Sequence, residues 1–113
     1  MIIELKWPDS TPTTEFSKEF LQAMLDRVAH SYARYGAMKD AYPHKVDALK
    51  SAELRLDKYK ETGNLEYVVD SANFNMIEFI HPRKVDAYWD ARAKSPGRVW
   101  HREVDPLRDR NKP

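Results

Sequence analysis

The sequence predicts an all-α protein, a small helical bundle with a central antiparallel αα-hairpin. Two observations carry that expectation. Large apolar side chains recur every four residues from Phe16 through Phe20, Met24 and Val28 to Tyr32, which is the repeat of one helix face. Two further helix-length segments are joined only by Glu61-Thr62-Gly63-Asn64, and a link that short makes consecutive helices antiparallel neighbours. The chain has 113 residues, the size of one domain, with an expected helical core over about 14–93 and a solvated tail over 105–113.

In chain order, Ile3, Leu5 and Trp7 alternate as one face of a short strand would, before the turn-rich Pro8-Asp9-Ser10-Thr11-Pro12. The first helix is expected from Thr14 to about Tyr35, capped by Thr13 or Thr14 and stopped by Gly36. Tyr42-Pro43 marks a loop, since the residue before proline avoids helical geometry. The second helix is expected from about His44 to Lys60 and the third from about Asn64 to Ile80, ended by His81-Pro82. A shorter fourth helix is expected near Lys84 to Ala93, carrying Val85, Tyr88 and Trp89.

Composition removes several chemistries. There is no cysteine, so no disulfide, thiolate metal site or cysteine nucleophile. Gly36, Gly63 and Gly97 are too scattered for a phosphate-cradling glycine loop. His30, His44, His81 and His101 have no zinc-ligand spacing. No run approaches a membrane span and the N-terminus has no signal-peptide pattern, so a cytoplasmic protein is expected. The formal charge of +1 argues against nucleic-acid binding by the whole surface. The basic residues Arg98, Arg102, Arg108, Arg110 and Lys112 are interrupted by Glu103, Asp105 and Asp109, so a nucleic-acid partner is not expected there either.

Carboxylates are the remaining reactive groups. At about 100° per residue, Glu53 and Asp57 fall within about 20° of Val46, beside the apolar stripe expected from Leu49 and Leu56. On the third helix Glu66, Asp70 and Asn73 share one edge, between about 80° and 140° from Leu65. With the turn near residue 62 or 63, Asp57 comes level with about Val68 and Glu53 with about Ala72, so these side chains can converge. Oxygen ligands from two helices suit Mg²⁺, which works through carboxylates, water and substrate phosphates. The same acids equally fit solvated helix flanks paired with Lys50, Lys58 and Lys60.

The stretch from Tyr42 to Pro82 resembles small phage and actinobacterial proteins of MazG-like type. Its matching core is Arg55-Leu56-x-x-Tyr59-x-Glu61-Thr62-Gly63-Asn64 followed by Val69-Asp70-x-Ala72-Asn73-Phe74-x-Met76-Ile77-Glu78-Phe79. The resemblance covers about half the chain, though Ser95-Pro96-Gly97-Arg98 also looks like that phage group. It implies an all-α nucleotide pyrophosphohydrolase that cleaves a nucleoside triphosphate to monophosphate and pyrophosphate with Mg²⁺, or Mn²⁺ in its place, as a homodimer or homotetramer. The family's Glu-x-x-Glu and Glu-x-x-Asp pairs fall here on Glu53 with Asp57 and on Asp70 with Asn73, separated by twelve residues. The first pair is spaced by four, Asp70 stands for Glu, and neutral Asn73 stands for Asp. These departures remove one charge that Glu66 could restore. The implied roles are metal ligation by Glu53, Asp57, Asp70, Asn73 and Glu66, catalysis by Glu53, Asp57 and Asp70, and substrate contact by Lys50, Lys45 and Tyr42. The alternative is a non-catalytic helical interaction or regulatory protein, which the missing acid and the wide apolar helix faces also fit.

Overall fold

A computed structural model describes residues 2–92 and 96–100, and the tail expected over 105–113 lies outside them. The described residues are all-helical, with three α-helices, α1 over Lys18–Tyr35, α2 over Ala48–Thr62 and α3 over Glu66–Ile80.

Each helix is delimited by local chemistry. The α1 cap is Ser17, whose hydroxyl accepts the Phe20 N–H at 3.0 Å, three to four residues beyond the threonines expected to serve. Thr13–Glu15 forms a 3₁₀ turn instead. Gly36, at φ 86°, ends α1. Asp47 caps α2, accepting the Lys50 N–H at 3.0 Å. The expected start at His44 is displaced because Lys45 and Val46 both donate their N–H groups to the Ala41 carbonyl, closing a turn around a cis Tyr42-Pro43 bond. Gly63 sits at φ 76°, ψ 8°, the left-handed position that stops a helix. Asn64 then accepts the Glu66 N–H at 3.0 Å, which starts α3 two residues later.

Helices α2 and α3 form the expected antiparallel hairpin, and their contact uses small side chains. Ala48 and Ala52 are the buried residues of α2, and Ser71 donates its hydroxyl to the Ala52 carbonyl at 3.1 Å. That bond sets the register, with residue 52 level with residue 71. The other buried residues of α3 are Val69, Asn73 and Ile77. Helix α1 lies on α3, where the Asn73 amide donates to the Met24 carbonyl at 3.0 Å. After α3 the chain is tied back: Glu78 accepts the Arg83 N–H, and the Arg83 guanidinium meets Asp47 at 3.1 Å.

Two expected elements are not formed. Residues 3–7 are not a strand; Ile3 and Leu5 are exposed, and Trp7 instead donates its indole N–H to Thr11 and packs edge-on against Phe16. A strand without a neighbour leaves its backbone groups unpaired. Residues 84–92 turn without a helix, and Val85, Tyr88 and Trp89 are exposed. A helix that short gains little without a surface to bury against. No helix among the described residues is long and apolar enough to cross a membrane.

Candidate functional site

Where α1, the 36–46 loop and the α2–α3 hairpin meet, they leave an open cleft of about 570 Å³, within the range of small-molecule sites. Three guanidiniums reach its wall, from Arg27 and Arg34 on α1 and Arg55 on α2. Arg55 lies 5.0 Å from the centre of the Phe74 ring, and Arg34 lies 5.4 Å from that of Tyr35. Neither Arg34 nor Arg55 makes an ion pair among the described residues. Both therefore offer stacked, charged donor forks to a ligand.

Arg27 is committed. Its Nε donates to Asp70 Oδ1 at 3.0 Å and its Nη2 to Asp70 Oδ2 at 3.3 Å, with Glu66 Oε1 also 3.3 Å from Nη2. The hydrogen bond to Asp70, together with the attraction of Asp70 and Glu66, raises the Arg27 pKa against an opposing burial effect. Asp70 is thus a carboxylate already paired with a cation on the cleft wall. Beside it Asn73, only 8% exposed, uses its amide N–H on Met24 while its Oδ1 is buried without a partner. An orphaned acceptor at this depth is costly unless a donor reaches it.

Tyr42 lies half-buried among the cleft-lining residues, and burial pushes its pKa up while Arg55 pulls it down. Its phenol stays neutral and can donate or accept. Lys45 is exposed in the turn that follows, next to the cleft-lining Val46 but not itself part of the lining. Lys50 pairs with Glu53 at 3.5 Å on the outside of α2, with both side chains about two-thirds exposed.

The acids expected to converge divide between two sides of the hairpin. Register is close to expectation: with residue 52 level with 71, Glu53 is level with Asp70 and Asp57 with Glu66. Direction is not. The face of α2 turned to α3 is centred on Ala48 and Ala52, and Leu49 and Leu56 are exposed, which shifts the apolar face expected from Val46, Leu49 and Leu56. Glu53 and Asp57 consequently lie about 100° or more away from Ala52 and point to solvent. Asp70 turns to Arg27. Among the described residues no three acidic or histidine side chains gather as a metal-ligating group. With Asp70 held by Arg27 and the Asn73 amide held by Met24, the residues do not fit a Mg²⁺ centre in this arrangement.

The sequence reading missed Arg27, Arg34 and Arg55. Arg27 carried a signal: it lies seven residues after Phe20 and three after Met24, inside the apolar stripe of α1, where a charge needs a partner. Arg55, beside the buried Ala52 face, carried the same signal once that face is placed correctly. This chain matches no protein-family model, no curated protein and no solved structure.

Proposed function

We propose that the chain is a non-catalytic helical regulatory protein that binds a nucleoside phosphate in the cleft between α1 and the hairpin. The observation that supports this reading is the grouping of two unpaired guanidiniums and the rings of Tyr35, Tyr42 and Phe74 around one cavity. Phosphate oxygens take the forks of Arg34 and Arg55. A planar base lies against the aromatic groups. Titration calorimetry with nucleoside triphosphates, monophosphates and inorganic phosphate tests this. Nucleotide binding at least tenfold tighter than phosphate, lost in Arg55→Gln, is the expected result. Affinity no better than that of phosphate, or unchanged in Arg55→Gln, overturns it.

A second reading is the Mg²⁺-dependent nucleoside-triphosphate pyrophosphohydrolase that the MazG-like resemblance implies, assembled as a homodimer or homotetramer. It is favoured by the presence of Asp70 and Asn73 on the wall of the same cleft. It needs Glu53 and Asp57 brought to the side where Asp70 lies. Pyrophosphate release that depends on Mg²⁺ or Mn²⁺ and vanishes in Glu53→Gln would replace the binding reading with this one.

A further inference from the structure

The formal charge of +1 conceals an uneven distribution. Residues 1–78 carry ten Lys and Arg against thirteen Asp and Glu, whereas residues 79–113 carry nine against five. A charge asymmetry of this kind points to contact with a polyanion. The described part of the basic segment also holds open aromatic rings. Phe79, Tyr88 and Trp89 are 73%, 87% and 77% exposed, and Trp100 is 45% exposed. Large aromatic side chains are the ones a fold ordinarily covers, so four open rings in one stretch point to a ligand.

Local contacts hold the start of this segment at the end of the hairpin. Glu78 accepts the Arg83 N–H at 2.8 Å, the Arg83 guanidinium meets Asp47 at 3.1 Å, and Ala87 donates its N–H to the Lys84 carbonyl at 3.2 Å. The chain thereby turns back, and Trp89 packs edge-on against Phe79 with ring centroids 6.2 Å apart. In an edge-on pair neither ring covers both faces of the other, so a flat face of each stays open to stacking. Cations alternate with the rings along the chain: Arg83 and Lys84 lie between Phe79 and Tyr88, and Arg92 and Arg98 between Trp89 and Trp100. Lys84 pairs with Asp86 and Arg92 with Asp90, each at 3.2 Å, but the two cationic side chains are 78% and 92% exposed. Ion pairs as open as these contribute little and leave the cation free to exchange its partner.

We infer that the rings of Phe79, Tyr88 and Trp89, with Arg83, Lys84 and Arg92 between and beyond them, form a binding surface for single-stranded nucleic acid. Trp89 is its principal stacking platform. A single strand alternates flat bases with phosphates, and rings that alternate with cations meet both parts of that repeat. A duplex keeps its bases stacked on one another and offers this surface only phosphates. A protein-docking patch has a contiguous apolar centre, whereas charges interrupt this one at Arg83, Lys84, Asp86, Asp90 and Arg92. A lipid surface takes an amphipathic helix with its apolar residues on one face, and residues 81–92 form no helix. None of these residues lines the cleft, so the surface stands apart from the nucleotide site.

Fluorescence anisotropy of a labelled oligothymidylate of about 12 nucleotides, titrated with the full chain at low salt, tests the inference. Saturable binding is expected, tighter than to a duplex of the same length by about a factor of ten, and weakening as salt rises. Trp89→Ala should weaken it about tenfold and Trp89→Phe should recover most of that loss. Both variants should keep the helical circular dichroism of the parent, because the side chain is exposed. Trp89→Ala should also leave mononucleotide titration of the cleft unaltered, so the two proposals fail or stand apart. No binding at low salt overturns the inference. So does equal affinity for single strand and duplex, or an affinity indifferent to Trp89→Ala. Binding to phosphatidylserine vesicles in place of the oligonucleotide also overturns it and assigns the rings to a membrane surface.

Discussion

At the residue scale, the Arg27–Asp70 pair does what an apolar contact would otherwise do between α1 and α3. The Asp70 carboxylate is 17% exposed and Arg27 is 34% exposed, so solvent screens the pair only in part. A double-mutant cycle of Arg27→Met and Asp70→Asn, read by urea denaturation, should give a coupling of about 1–2 kcal/mol. Tyr42 supplies a pH signature. Burial raises its pKa above 10.0, so the folded chain holds that proton more tightly than the unfolded chain. The resulting stability is full below pH 10.0 and falls as pH rises through the folded value. Thermal unfolding between pH 9 and 11 should show a steeper decline in the parent than in Tyr42→Phe. Arg27 also shows what single residues reveal before folding. Its place inside an apolar stripe was legible, but its partner was not, because Asp70 lies 43 positions away on a helix whose orientation depends on packing.

At the scale of the element, stop signals were read more accurately than faces. Gly36 ends α1 and α3 stops at Ile80 as expected, while α2 runs two residues past the expected Lys60 and stops at Gly63. At the two glycines, a positive-φ terminal position is a backbone requirement that few residues meet. The starts moved inward by a few residues to Ser17, Asp47 and the Asn64 turn, where a side-chain oxygen could take a free N–H. The face of α2 was misplaced for a reason of volume. Leucine marks hydrophobicity, but close helix approach selects the smallest side chains, so Ala48 and Ala52 turn inward and Leu49 and Leu56 turn out. That rotation carries Glu53 and Asp57 away from Asp70 while leaving their heights nearly as expected. Ala52→Leu tests the closeness of the contact. It should destabilise by about 1–3 kcal/mol in denaturant unfolding through overpacking against Ser71, whereas Leu49→Ala at an exposed position should cost under about 0.5 kcal/mol in the monomer.

At the scale of the whole molecule, the buried apolar set of the described residues is small: Ala48, Ala52, Val69 and Ile77. Two of the four are alanines, which contribute little transfer energy. A chain with so little interior gains stability from whatever fills its cleft. Under the nucleotide-binding proposal its melting temperature should therefore rise with nucleotide concentration in the parent and stay constant in Arg55→Gln, as mass action requires. Differential scanning calorimetry at several concentrations reads both.

The polar seam between α1 and α3 has a kinetic consequence. Helix α1 contains no buried residue, and it is joined to α3 through Arg27, Asp70 and the Asn73 amide. The hairpin holds the buried side chains. Segments with few buried contacts open independently of the global transition. Amide protons in the middle of α1 should exchange with deuterium long before those around Val69 and Ile77, and faster still as ionic strength rises. A ligand bridging Arg34 to Arg55 would slow that exchange selectively, turning the protection of one helix into a direct reading of whether the cleft is filled.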